Sequence, residues 1–354
     1  MVRAAVLDAP GRFELRTFDR PIATTGAVLD VEACGLCGTD LDVARGTIAL
    51  RGPTIPGHEI LGTIASIADD YAASTGLRTG DRVVVPGELH CGTCVGCLAD
   101  ESCLASPGTH GFVPVDVAPA LWGGFAEAMV LSPQTRPLPI AAHVPVARAA
   151  LFNLLGAGYA WGVEAPGLRA GQTIVVLGPG QRGLACVIAA SDEGARVVAV
   201  SGLASDERKL GIAAALGAET TVSIDTEDLV TTVLERTDGA GVDVVVDTTP
   251  HSTDAVLDAL SIVRPGGTVV IAGMKGRPVP AFPTDTLAMR RITVRGVRAV
   301  TRGAFRRAIT LLESDDPRPD LLATHAFDLA DVDRAIATLD SDPDAIAICI
   351  GPFA

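Results

Sequence analysis

Lysine is almost missing from this chain of 354 residues: Lys209 and Lys275 are the only two, and arginine supplies the rest of the positive charge. That preference follows coding composition and points to no function. With 28 Lys and Arg against 42 Asp and Glu, the formal net charge is −14. Nucleic acid and anionic membrane are thereby excluded as main partners, since both are held by basic patches. No run of about eighteen apolar residues occurs, so no membrane-spanning helix is expected. Met1 leads into VRAAVLDAP, without the basic start and apolar core of a secretory signal. Internal repeats and low-complexity segments are also lacking. The expectation is a cytoplasmic protein in a reducing compartment, where clustered cysteines are metal ligands more often than disulfides. What is plentiful is apolar material: 48% hydrophobic residues and 38 Gly, enough for buried sheets in two domains.

Residues 1 to about 150 are rich in Gly, Pro and short apolar runs such as VLDVEACG, TIASIA and DRVVVPG. That is the texture of short strands joined by turns. From Gln172 an alternation begins. TIVVLG, RVVAVSG, DVVVDTTP and TVVIAGM are buried-strand runs, and GPGQRGLACVIAASDEG, SDERKLGIAAALGA and HSTDAVLDALSIVRPGG between them have helical character. Ser205 or Asp206 is the expected N-cap of the second of these helices. Strand and helix alternating at this spacing predict a doubly wound parallel sheet. Beyond about residue 290 the pattern turns mixed, with ITVRGV, a helix near 305–314 and a closing AIAICIG strand.

Gly178-Pro179-Gly180-Gln181-Arg182-Gly183 is a GxGxxG turn that follows a strand and opens a helix. Gly178 permits the tight turn, Gly180 lets backbone approach a pyrophosphate, and Gly183 lets the helix pack on the strand. The helix N-terminus then faces the phosphates. Lys209, Gly273 and Met274 complete the candidate nucleotide-binding set. The acid that would bind a ribose 2′-hydroxyl at the end of the second strand is lacking: the chain there reads Val200-Ser201-Gly202-Leu203, with Asp206, Arg208 and Lys209 beyond. NAD and NADP both stay open.

Four of the eight cysteines fall in CGTCVGCLADESC, at Cys91, Cys94, Cys97 and Cys103. Bacterial ferredoxins also use CxxCxxC, but with the fourth Cys about three residues on and Pro after it. Here five residues intervene and Leu104 follows. A closed four-thiolate zinc site of structural role fits best, with His90 as a fallback ligand. Cys34, Cys186 and Cys349 sit in apolar runs and are expected to be small buried residues.

Residues 34–40 read CGLCGTD and residues 56–59 read PGHE. A Cys thiolate and a His imidazole are both good zinc ligands. Together with GDRVVVP, the cysteine cluster, GGFAE, GPGQRG and PGGTVVIAG, these motifs resemble the zinc-containing medium-chain alcohol/polyol dehydrogenases over nearly the whole chain. The resemblance implies an α/β protein of two domains: a GroES-like, mostly β catalytic domain at 1–150 and 290–354, and a Rossmann domain at 151–289. It implies hydride transfer between an alcohol or ketone and NAD(P), with zinc as Lewis acid. It places Cys37 and His58 on a catalytic zinc and Glu59 as a carboxylate able to approach the metal. Thr39 becomes the hydroxyl that receives the alcohol proton, and Asp40 the carboxylate that orients the ligand histidine. A homodimer or homotetramer is implied by the resemblance alone.

The chain departs from the family at three places. The third zinc ligand is usually Cys, Glu or Asp, and matching puts the neutral Asn153 there, a poorer ligand. Zinc held by Cys37, His58 and Glu59, zinc held through Asn153 or a water, and a metal-poor site all stay open. The family often has His three residues after Thr39 to pass the proton outward. Here it is Asp42, which removes an imidazole limb near pH 6.5 from the rate profile. The last gap of the cysteine cluster is two residues shorter than the family's seven, which bears on Cys103. Phe112 and Trp122 fall where the family lines its substrate pocket, and few charges fall nearby. The expected substrate is therefore a secondary alcohol or ketone of apolar character, cyclic ones included. A metal-independent quinone or enone reductase and a catalytically silent nucleotide-binding protein are the competing readings.

Overall fold

The computed structural model describes residues 1–99 and 102–352. Its strands are β1 (Val2–Ala9), β2 (Arg12–Phe18), β3 (Ala27–Leu36), β4 (Glu59–Ile67), β5 (Arg82–Pro86), β6 (Ala128–Leu131), β7 (Leu138–Pro139), β8 (Thr173–Leu177), β9 (Arg196–Gly202), β10 (Thr221–Ser223), β11 (Val242–Asp247), β12 (Val263–Ile271), β13 (Thr293–Gly296), β14 (Ala323–Asp328) and β15 (Ala347–Gly351). The chain divides into two compact units, Met1–Asn153 with Ile309–Ala354, and Leu154–Ala308.

The first unit holds a sheet in the order β14-β15-β3-β4-β5-β7, with β6 also paired to β3 and the β1–β2 hairpin apart. β14 and β15 run parallel and the other pairs antiparallel. β3 is shared by three neighbours and buried along most of its length. Leu29, Leu36, Ile60, Phe125, Met129 and Ile350 belong to the core around it. Because β3 and β4 are antiparallel, the end of one lies beside the start of the other, with Gly35 opposite Glu59. The end of β5 joins the same edge, with Pro86 opposite Glu59. Thus CGLCGTD, PGHE and the end of DRVVVPG, far apart in sequence, meet at one edge of one sheet.

The second unit is a parallel six-stranded sheet in the order β10-β9-β8-β11-β12-β13. Ile174–Leu177 in β8 and Val244–Asp247 in β11 are buried throughout, as expected of strands covered on both faces. The order is that of a doubly wound dinucleotide fold, with its switch point between β8 and β11. The helix Gln181–Asp192 opens on Gly180 and buries Gly183–Ala190. The Ser205/Asp206 expectation is met by Asp206 as N-cap of the helix Glu207–Ala215, although its side chain bonds the Leu203 N–H instead of capping that helix. β13 extends this sheet, so a boundary at residue 290 cuts ahead of a strand that belongs to it. As an edge strand it is exposed or half-buried, which is why its sequence lacks the apolar run of its neighbours. Among the described residues, no helix is long and apolar enough to cross a membrane.

Candidate active site

Leu36 ends β3, and Cys37 is the N-cap of the helix Gly38–Ala44. Asp40, in the first turn of this helix, is buried and accepts a hydrogen bond on Oδ2 from the Cys37 N–H at 3.1 Å. Its Oδ1 lies 3.3 Å from His58 Nδ1, close enough to attract an imidazolium but not aligned as a hydrogen bond. The other ring nitrogen, Nε2, lies 3.3 Å from Cys37 Sγ. Two donors sharing a tetrahedral zinc stand ~3.5 Å apart when Zn–S and Zn–N are near 2.3 and 2.0–2.1 Å. Cys37 and His58 therefore fit zinc. Burial opposes protonation of His58, but Asp40 and the Cys37 thiolate outweigh it and hold its pKa well above the ordinary imidazole value. The same anionic surroundings favour a cation at this position.

Close packing holds the pair. A Cβ on Gly87 would lie 2.6 Å from His58 Cβ and from its carbonyl oxygen. A Cβ on Gly35 would lie 2.7 Å from Glu59 Oε2. Phe112 packs near the imidazole, ring centroids 6.0 Å apart. Trp122 donates its indole N–H to the Val117 carbonyl at 2.9 Å. Thr39 and Asp42 are half-buried in the helix Gly38–Ala44, and their three-residue separation puts them on one face.

Glu59 and Asn153 do not join this cluster in the way the motifs suggested. Among the described His, Cys, Asp and Glu residues, the donor atoms here that all lie within 4.8 Å of one another are those of Cys37, Asp40 and His58, without Glu59. Glu59, 3% exposed, instead accepts a short hydrogen bond on Oε1 from Asn153 Nδ2. Asn153 thus turns its donor end to a carboxylate.

The second cluster unites all four expected thiols. Cys91, Cys94, Cys97 and Cys103 have Sγ atoms within 4.8 Å of one another. The Cys91–Cys97 and Cys94–Cys103 separations are both 3.9 Å, against ~3.8 Å for the edge of a tetrahedral zinc–thiolate site. Backbone N–H groups point at the sulfurs: Cys94 N at Cys91 Sγ, Cys97 N and Leu104 N at Cys94 Sγ, and Cys91 N at Cys103 Sγ, all at 3.3–3.4 Å. Those from Thr93 and Cys94 pull Cys91 down to about 6, and backbone donors also lower Cys94. Burial first, then the neighbouring thiols, push Cys97 up to about 12. His90 stays outside the cluster, its Nδ1 3.6 Å from Cys97 Sγ. Cys34, Cys186 and Cys349 are buried. No described cysteine is in a disulfide.

In the second unit the glycine turn has the expected division of labour. Gly178 takes φ +92°. A Cβ on Gly183 would lie 1.9 Å from the Gly178 carbonyl oxygen. A Cβ on Gly180 would meet nothing within 4 Å, so packing does not demand a glycine there. The open space at this helix N-terminus is what a pyrophosphate needs, and the turn fits a dinucleotide. Arg182 is drawn over the Trp161 ring, 5.7 Å from its centroid. Lys209 Nζ lies 4.0 Å from Asp206 Oδ1. Met274 is 81% exposed, and a Cβ on Gly273 would lie 2.1 Å from the Thr249 carbonyl oxygen. The sequence reading passed over Asp247, Thr248, Thr249 and Lys275, which close the loops behind these residues; an acid ending an apolar strand run was the available signal.

A paired donor set at one sheet edge, a four-thiolate lobe and a separate dinucleotide fold define a zinc-dependent dehydrogenase. Residues 24–141 match the alcohol dehydrogenase GroES-like domain, and residues 183–314 match the zinc-binding dehydrogenase domain. A Mycobacterium tuberculosis protein with the name "Probable alcohol dehydrogenase adh" is 38% identical over 99% of this chain and 95% of its own length. The erythritol/L-threitol dehydrogenase of Mycolicibacterium smegmatis is 26% identical over 99% and 98% of the two chains. The solved structure of alcohol dehydrogenase TADH from Thermus sp. ATN1 superposes with a TM-score of 0.86 at 25% identity, covering 99% of both chains. The chain belongs to the zinc-containing medium-chain alcohol dehydrogenase family, with zinc and NAD(P) as its cofactors.

Proposed function

We propose that this protein interconverts secondary alcohols and ketones of apolar character, cyclic ones included, with NAD or NADP. The observation that carries this reading is the Cys37–His58–Asp40 constellation, whose two donor atoms stand 3.3 Å apart. Cys37 and His58 would hold the catalytic metal, with Glu59, which accepts from the Asn153 amide, as the carboxylate able to approach it. Asp40 fixes the His58 ring from its Nδ1 side and leaves Nε2 for the metal. Zinc held there would supply Lewis acidity toward an alcohol or carbonyl oxygen, and a bound nicotinamide would supply the hydride acceptor or donor. Thr39 takes the alcohol proton and Asp42, on the same helix face, passes it toward water. Phe112 and Trp122 supply apolar wall. Cys91, Cys94, Cys97 and Cys103 hold a second, structural zinc. Gly178–Gly183, Lys209, Gly273 and Met274 bind the dinucleotide. The working form is a homodimer or homotetramer in the cytoplasm.

Metal analysis on the purified protein tests this directly. Two zinc per chain, falling to one in Cys37→Ser with loss of alcohol oxidation, is the expected result. One zinc, unchanged in that variant, or activity that survives a strong chelator, would point to a metal-independent reductase and sink the reading. Dinucleotide binding with no turnover of any alcohol in a broad panel would mark a silent nucleotide-binding protein.

A further inference from the structure

Lys275 has an exposure of 8% and its partner Asp247 of 0%. The ammonium Nζ lies 2.7 Å from Asp247 Oδ2. It also donates to the Thr249 carbonyl at 2.5 Å and to Thr249 Oγ1 at 3.1 Å. Two of the ammonium's protons go to Thr249, and the contact with Asp247 is an ion pair. Asp247 Oδ1 in turn accepts from the Thr249 N–H at 2.9 Å and from Thr249 Oγ1 at 2.6 Å. Among the described residues, no group is aligned to hydrogen-bond Asp247 Oδ2. The ammonium is the group that compensates it.

The pair sits where two loops meet. Asp247 ends β11, and Lys275 follows β12, its parallel neighbour. The loops are joined twice more: His251 N donates to the Met274 carbonyl at 3.0 Å, and Gly273 approaches Thr249 too closely for any side chain. His251 itself holds φ +62°, a strained value for a non-glycine residue. On the other side, Thr248 Oγ1 donates to the Leu177 carbonyl at 2.8 Å and the Gly178 carbonyl at 3.1 Å. The loop after β11 is thereby tied to the glycine turn and to the loop after β12 together.

A buried ion pair is weak evidence for stability, because well-packed apolar residues do as well. Its value lies in fixing one geometry. In a doubly wound sheet the ligand lies outside the carboxyl ends of the strands at the switch point, here flanked by β8 and β11. The half of the sheet formed by β8, β9 and β10 carries the glycine turn, so β11, β12 and β13 face the other mononucleotide. We propose that Lys275 is a positioning residue for the nicotinamide half of the dinucleotide site. Through Asp247 and Thr249 it holds the loops 248–251 and 273–276 at the one spacing that accepts the nicotinamide nucleotide. The inference rests on the dinucleotide reading of this unit.

The test measures binding of NADH and NADPH, and of AMP and adenosine 2′,5′-bisphosphate, which probe the adenosine half alone. Lys275→Met should weaken the preferred dinucleotide at least about tenfold, while the matching adenosine nucleotide changes less than about twofold. Lys275→Arg, which keeps the charge, should lose less than Lys275→Met. Because Lys275→Met strands a buried carboxylate and can fail to fold, the double variant Lys275→Met/Asp247→Asn supplies the same test with no unpaired charge. It should fold, keep the adenosine nucleotide and lose the dinucleotide. A folded variant that binds the dinucleotide as the wild type does, or that loses both probes in proportion, overturns the proposal. Wild-type protein that binds neither dinucleotide overturns the functional reading as well, and so separates the two failures.

Discussion

His110 makes the stability of the first unit depend on pH in a direction that can be worked out. Its imidazole is fully buried, with Nδ1 at 3.3 Å from the Trp122 carbonyl and Nε2 at 2.9 Å from Thr135 Oγ1. A carbonyl only accepts, so Nδ1 carries the proton and Nε2 accepts from the threonine hydroxyl. Burial pushes the pKa from the usual 6.5 down to about 4, against a smaller opposing pull from the Trp122 carbonyl. The unfolded chain binds a proton here below about pH 6.5, whereas the folded chain stays neutral to about pH 4. The contribution is therefore complete above pH 6.5 and is lost as pH falls toward 4. Each tenfold in proton affinity is worth about 1.4 kcal/mol, so the whole interval is worth roughly 3 kcal/mol. The assay is urea unfolding of zinc-saturated protein between pH 7.5 and pH 4.5, set beside His110→Gln, which does not titrate. The stability gap between the two should shrink by about 1.4 kcal/mol per pH unit below about 6.5. A gap constant across the range would refute the neutral buried imidazole. The loop at stake places Phe112 beside His58, and it keeps its native form until the folded chain itself takes up the proton, near pH 4.

Gly180→Ala meets open space at φ −67°, so thermal stability should hold while affinity for the dinucleotide falls at least about tenfold; unchanged affinity would show that backbone approach there is not needed. Cys103→Ser should lower bound zinc by one per chain and depress the melting temperature, because a closed structural site contributes folding energy; zinc content equal to wild type would remove Cys103 from the lobe. Asp42→Ala should slow alcohol oxidation and alter its pH dependence, and a profile and rate both untouched would deny it any relay role. Asn153→Asp sets a second carboxylate against Glu59, so the zinc-stripped protein should be less stable and the zinc-loaded protein should release metal more slowly to a chelator. Equal stripping rates would remove Asn153 from the metal's surroundings.

What the sequence made legible was what sterics or ligand chemistry forces into a fixed spacing. Gly183 is demanded by a carbonyl oxygen 1.9 Å from where its Cβ would stand, and the four thiols need one short segment to converge. The continuous apolar strands of the second unit were legible for a similar reason: burial on both faces leaves no polar position. That ITVRGV, which holds β13, belongs to the same sheet was not legible, because an edge strand meets solvent and carries no such run. Pairings across long separations were illegible too. Asn153 lies 94 residues from Glu59, and nothing local in either segment announces the other. The Lys275–Asp247 pairing was illegible for the same reason, since Asp247 ends one strand and Lys275 follows its parallel neighbour, with a helix between them.

Asn153 and Glu59 account for one another when charge is counted. Cys37 and Asp40 already set two negative charges around His58. A family-like acid at position 153 would stand against Glu59, 3% exposed, as a further buried anion, a costly arrangement. With an amide at 153, Glu59 receives a hydrogen bond instead of a repulsion. The neutral residue at 153 thus lets a glutamate stay buried next to His58. It also explains why Gly35 stands opposite Glu59, since a side chain there would occupy the space its carboxylate fills.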